Sequence, residues 1–406
     1  MLNFYISFSS FHKLHHFFAL IYTMSCCASC KPKTKVLAVI LDLDGTLLDT
    51  EKASKGILKE FLGKYGKNDQ EREDKKRLGM TQKESAAGIC KDYALPLTPD
   101  QYIKEITPMY REKWLQAKPL PGANRLIKHL HKHGVPFSLA SNSLREYIDA
   151  KISLQRGWKE YFSVIIGSDQ VKSGKPSPYL FEEAAKRMGV DAPQCLVIED
   201  SLVGVKAANA AKMKVVAVPP HGETDCASLA DSVLHSLLEF QPELWGLPPF
   251  EDWVDNALPI EPMHLSGVSV SGSVWEISEN GTLTLPDQVF GFYFGWAEVD
   301  MQKSFKVVVS IGWDHCSCIS KRKFHICIID GNNDHLSDQQ IQLLLVGYLR
   351  GSNSKDPTSM NVEEVLEEYK SIASASLDLP MFVHHACEPL FPEASSEDSF
   401  GYDEKE

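Results

Sequence analysis

At 406 residues with 43% hydrophobic side chains, the chain is long enough for more than one buried core, and two folded units are expected. Asp and Glu total 54 against 42 Lys and Arg, a net charge of −12, and no long basic run is present. That balance argues against nucleic acid as a partner and favours a small substrate.

The first 34 residues read as a disordered extension. Their apolar block at 17–22 is far too short to span a bilayer, and no arginine or Ala-x-Ala type cleavage point accompanies it. No membrane partner is expected, and Met24 is an alternative start. The ten cysteines form no evenly spaced ladder; Cys90, Cys195 and Cys327 sit in apolar or helical stretches, as free thiols in a reducing, cytoplasmic setting would. Cys316 and Cys318 lie near His315 and His325, but Cys-x-Cys lacks the paired spacing of a structural zinc site.

From 35 to 240, apolar runs at 36–41, 137–140, 164–166, 195–198 and 215–218 alternate with segments of helical period. This predicts an α/β fold, a Rossmann-like parallel sheet covered by helices on both faces. Between the first two runs, residues 51–118 are rich in helix formers and carry no convincing strand, so they are expected to form a helical cap. A Pro- and Trp-containing joint at 241–250 follows. Over 251–390, aromatic and β-branched segments at 290–297, 305–313, 324–330 and 341–349 predict an antiparallel β-barrel, with an amphipathic helix at 361–374. Residues 391–406 are acidic and serine-rich and read as a disordered tail.

The strongest chemical signal is Asp42-Leu43-Asp44-Gly45-Thr46, which directly follows a buried-strand pattern. It therefore falls at the carboxyl end of a strand, where open α/β sheets bind ligands. Asp42 can attack phosphorus while Asp44 donates a proton to the leaving oxygen and later activates water. Transfer from a phosphomonoester builds negative charge, so donors and cations must accompany the nucleophile. Ser141 and Asn142 follow the strand at 137–140, and Ser143 with Glu146 has capping-box spacing, so Ser141, Asn142 and nearby backbone N–H groups are expected to hold phosphate at a helix start, with Lys175. Lys175, in a Gly-Lys-Pro-Ser-Pro loop, supplies a fixed ammonium. Glu199 and Asp200 end another strand and offer hard oxygen ligands; with Asp42 and the Asp44 carbonyl they make a site suited to Mg2+.

In motif order and spacing, residues 35–220 resemble the haloacid dehalogenase superfamily, in the branch with a helical cap after the first motif. The resemblance implies catalytic roles for Asp42, Asp44, Ser141 and Lys175, and metal roles for Asp200 and, in support, Glu199. The whole chain is similar to the plant bifunctional riboflavin kinase and FMN phosphatase family, through segments such as Leu244-Trp245-Gly246-Leu247-Pro248-Pro249-Phe250 and Tyr293-Phe294-Gly295-Trp296-Ala297. That likeness implies FMN as the phosphomonoester substrate; sugar, glycerol or pseudouridine phosphates and a phosphomutase reaction stay open. The cap sets the substrate, and Gly79-Met80-Thr81 with the helix after it is a candidate lining.

The second half departs from that family. No glycine-rich loop leading into Pro-Thr-Ala-Asn occurs between 263 and 288, the asparagine after Gly-Trp is Asp314, and the position of the general-base glutamate falls on His325. The expectation is a riboflavin kinase-like barrel that folds without phosphorylating; retained kinase activity is the competing expectation. Tyr293, Phe294, Trp296 and Trp313 could stack on a flavin, or simply fill the core.

Overall fold

The computed structural model describes residues 35–68, 82–269, 274–276, 285–299, 303–314, 321–331, 340–349 and 362–382. The expectations for 1–34, Gly79-Met80-Thr81, the Cys316 and Cys318 pair, most of the 270–284 stretch and the 391–406 tail lie outside them.

Twelve strands are described: β1 Ala38–Leu41, β2 Phe137–Ala140, β3 Val164–Ile166, β4 Cys195–Glu199, β5 Lys214–Ala217, β6 Ser232–Val233, β7 Ala257–Ser269, β8 Val274–Glu276, β9 Gly291–Val299, β10 Lys303–Asp314, β11 Lys321–Ile328 and β12 Gln340–Leu349. The helices are α1 Thr50–Ala53, α2 Ile57–Lys64, α3 Gln82–Asp92, α4 Pro99–Trp114, α5 Ala123–Lys132, α6 Arg145–Ile152, α7 Trp158–Tyr161, α8 Tyr179–Met188, α9 Leu202–Ala210 and α10 Val362–Leu377.

The first six strands form one parallel sheet in the order β3-β2-β1-β4-β5-β6. β1 is fully buried, and its side chains alternate between two cores. Val39 and Leu41 join Leu126, Ile127 and Leu130 of α5, whereas Ala38 and Ile40 join Phe181 and Ala184 of α8 and Ala207 and Ala208 of α9. A strand covered on both faces has to be continuously apolar, which is why 38–41 reads Ala-Val-Ile-Leu. The cap, α2 to α4, has its own core around Phe61, Leu62, Ile89 and Ile106. Thr98 and Gln101 close a capping box at the start of α4, with Pro99 at its first position.

β7 to β12 are antiparallel, and their ladders run β10-β11-β8-β7-β12-β9 and back to β10, giving a barrel. Along β12, Ile341, Leu343 and Leu345 face one core, while Leu344 and Val346 pack with Tyr369, Ala373 and Leu377 of α10. Tyr293 and Phe294 are fully buried in these two cores, so neither offers a ring face for stacking. The parallel-sheet half and the barrel pack together: Leu238 enters the barrel core, and Arg125 of α5 binds Asp252 through Nε and Nη2, both at 2.7 Å.

Candidate active site

Three neighbouring strands deliver the site. The ladder pairs Leu41 with Leu139 on one side and Ile198 on the other, so Asp42, Ser141 and Asp200 follow the carboxyl ends of β1, β2 and β4 side by side. Lys175 arrives from the loop between β3 and α8. All of the residues singled out in sequence, Asp42, Asp44, Ser141, Asn142, Lys175, Glu199 and Asp200, line one cleft of about 270 Å³.

Lys175 is the hub. Its Nζ donates to Asp42 Oδ1 and, at 2.6 Å, to Glu199 Oε1. Asn142 holds that loop by its side-chain amide, accepting from Lys175 N at 2.8 Å and donating to Lys175 O at 3.2 Å. Glu199 is itself fixed by Ser201, whose N and Oγ donate to Oε2 at 2.7 and 2.9 Å. Burial would depress the Lys175 ammonium, but the Asp42 and Glu199 carboxylates more than offset it and push its pKa up.

The carboxylates outnumber the cations. Ligand oxygens of Asp42, Glu199 and Asp200 lie within 4.8 Å of one another, all three residues buried, and Lys175 pairs with Asp42 and Glu199. Burial first, and then the neighbouring charges of Glu199 and Asp44, raise Asp42 to about 7 despite Lys175. Asp200 is raised well above the usual carboxylate range by burial, Glu199 and Asp42. A cluster that retains protons for want of positive charge, built from hard oxygen donors, fits a small divalent cation.

Asp44 has the opposite environment. It accepts from Lys151 Nζ at 2.7 Å, Thr50 Oγ1 at 2.8 Å, Ser143 Oγ at 2.9 Å and Ser141 Oγ at 3.2 Å. Burial opposes its ionisation, yet Lys151 and these hydroxyls hold its pKa below the ordinary value. Ser143 does not cap a helix as its spacing had suggested: α6 starts at Arg145 with Leu144 at the cap position and no side-chain cap bond. The Asp44 carboxylate claims the Ser143 hydroxyl instead. Lys151 and Thr50 were not singled out by sequence. Lys151 lies in the last turn of α6, and only the knowledge that α6 borders the cleft would have marked it.

Gly45 is required by Asp200. Its φ is +83°, and a Cβ there would collide with Asp200 Oδ2. The turn is closed by Gly45 N donating to Leu48 O at 2.9 Å, and Thr46 Oγ1 donates to Asp200 Oδ1 at 3.1 Å. Above this floor, α3 contributes Gln82, Ser85, Ala86 and Ile89, and α4 contributes Tyr102, Ile106, Tyr110 and Trp114. Tyr110 stacks on Trp114 with centroids 6.0 Å apart, and Trp114 packs on Tyr147 at 5.0 Å.

A doubly wound sheet with an acidic, lysine-bearing cluster at its carboxyl edge and a helical cap defines a haloacid dehalogenase-like hydrolase, and the model of that family matches residues 39–218. The riboflavin kinase model matches residues 276–367. The chain belongs to the family of bifunctional riboflavin kinase/FMN phosphatases: it is 41% identical over 363 residues to the protein of that description from Arabidopsis thaliana, covering 86% of this chain and 96% of the relative. Its phosphatase half is also 37% identical to a probable pseudouridine-5'-phosphatase of Drosophila melanogaster, covering 54% of this chain and 97% of that protein. Identity to (DL)-glycerol-3-phosphatase 2 of Arabidopsis thaliana is likewise 37%, over 53% of this chain and 92% of that one. Among the described residues no helix is long and apolar enough to cross a membrane.

Proposed function

We propose that this phosphatase hydrolyses FMN to riboflavin through an aspartyl-phosphate on Asp42, in a domain spanning about 35–240 that is joined through 241–250 to a barrel at 251–390. The observation that carries the reading is the buried cluster in which Lys175 bridges Asp42 and Glu199 next to Asp200.

Asp42 attacks phosphorus in line with the ester bond, which breaks as the acyl phosphate forms. Lys175 and the Ser141 hydroxyl neutralise the transferred group's oxygens, and Asn142 keeps Lys175 in place. Mg2+, held by Asp42, Asp200 and the Asp44 carbonyl with Glu199 in support, supplies charge compensation for the phosphoryl group when bound. Asp44 protonates the leaving oxygen and then takes a proton from the water that hydrolyses the acyl phosphate. Since Asp44 is held ionised by Lys151, donation requires that substrate entry loosen that pair and that the carboxylate first take up a proton from solvent. The cap's Tyr110 and Trp114 supply an aromatic wall that suits a ring-bearing phosphate.

The barrel is proposed to lack kinase activity, because polar groups of the kinase family are replaced; His325, at the position of its general base, is exposed on β11. A cytoplasmic setting is proposed, supported by free thiols at Cys90, Cys195 and Cys226. The test is phosphate release from a panel of FMN and pseudouridine, glycerol and sugar phosphates in Mg2+. FMN should have the highest kcat/KM, and Asp42→Asn should lose about a thousandfold or more. Preference for another phosphate would replace the substrate, and full activity in Asp42→Asn would end the mechanism.

A further inference from the structure

The turn that follows the nucleophile and the proton-transfer residue is not held by the phosphatase half alone. Gln288, which precedes β9 of the barrel, is buried, and its Nε2 donates to the carbonyl of Gly45 at 3.2 Å. That carbonyl shares its peptide plane with the amide of Thr46, whose hydroxyl donates to Asp200. Fixing the plane therefore fixes Thr46 against a carboxylate of the proposed metal site.

Gln288 is in turn supported from inside the barrel. Arg322 of β11 donates through Nη1 to Leu285 O at 3.1 Å and through Nη2 to Pro286 O at 2.8 Å, gripping the segment just before Gln288. The Arg322 guanidinium lies 4.6 Å from the Trp313 ring centroid, and Trp313 stacks on His221 of the phosphatase half, 3.9 Å apart and 7° from parallel. The contacts of Arg125 with Asp252 and of Lys132 with Glu251, by contrast, fasten α5 and touch no residue of the cleft floor, while Lys52 of α1 reaches Asp287 at 3.9 Å.

We propose that the barrel functions as a working part of the phosphatase, with Gln288 as a positioning residue that holds the Asp44-Gly45-Thr46 turn and Arg322 as the residue that holds Gln288. This gives the barrel a role independent of flavin phosphorylation. The inference rests on the reading of Asp42 as the nucleophile, but not on FMN as the substrate.

The test uses the full-length chain with para-nitrophenyl phosphate, and also follows the rise in melting temperature on titration with Mg2+. In Gln288→Ala, kcat should fall about tenfold with KM changed less than about twofold, the size expected for one hydrogen bond organising the reacting groups. The Mg2+ concentration for half the thermal shift should rise several-fold. Gln288→Glu at pH 8 has the same shape but no donor, so it should behave like Gln288→Ala; if it matched wild type, the contact would be mere packing and the proposal would fall. Arg322→Lys keeps the charge and loses the fork, so it should shift both readouts in the same direction by less, and it serves if a Gln288 variant does not fold. Wild-type kcat and Mg2+ midpoint in folded Gln288→Ala or Arg322→Lys would overturn the proposal. A wild-type chain inactive on every phosphate ester would overturn the phosphatase reading as well, which separates the two failures.

Discussion

In the proposed mechanism Asp42 attacks as a carboxylate, yet its surroundings favour the neutral acid. Its pKa in the folded, metal-free chain is about 7, against 3.8 for the unperturbed group. The folded state therefore binds more protons than the unfolded state between these values, and stability must fall as pH rises through that window. Asp200, raised for the same reasons, adds to the slope. The melting temperature of chelator-treated protein should decline from pH 5 to pH 7.5, and less steeply in Asp42→Asn; an equal slope in the two proteins would rule out this account. Added Mg2+ should flatten the decline. At this scale, the sequence revealed the residues that lie beside strand ends, because Asp42, Ser141 and Asp200 each follow an apolar run. It did not reveal Lys151 or Thr50, since their partner Asp44 is reached only through the tertiary path of α6 and the start of the cap. The Ser143 spacing misled because a capping pattern and a carboxylate contact use the same hydroxyl.

The core strands were legible because burial on both faces demands an unbroken apolar run, and the cap because no such run interrupts it. β7 was not: Pro259 and Pro262 fall within its span, and proline removes a ladder donor, so 257–269 was not among the strands expected of the barrel. Cap helix α4 decides selectivity in the proposed reading. Tyr110 is partly exposed at the cleft and stacked on Trp114. Tyr110→Ala should raise KM for FMN several-fold, in line with loss of one aromatic contact, and leave KM for glycerol phosphate within about twofold. An equal change for both substrates would show that the ring shapes the cap without reading the substrate.

From Val36 onward the described parts belong to one compact unit, so the barrel is an integral neighbour of the phosphatase rather than a separate passenger. Incubated with riboflavin and Mg-ATP, the purified chain should form no FMN; steady FMN production, detected by chromatography, would restore a bifunctional enzyme. The parallel sheet order has a further consequence for synthesis. Thr46 and Asp200 touch across 154 residues of chain, because β4 inserts beside β1 only after β2, β3 and their helices have been made. On the ribosome, a nascent chain that has released Asp42 has neither Lys175 nor Asp200 to place beside it. The concentration of negative charge is thus deferred until most of the surrounding framework exists, and a chain not yet extended past Asp200 lacks part of the cluster.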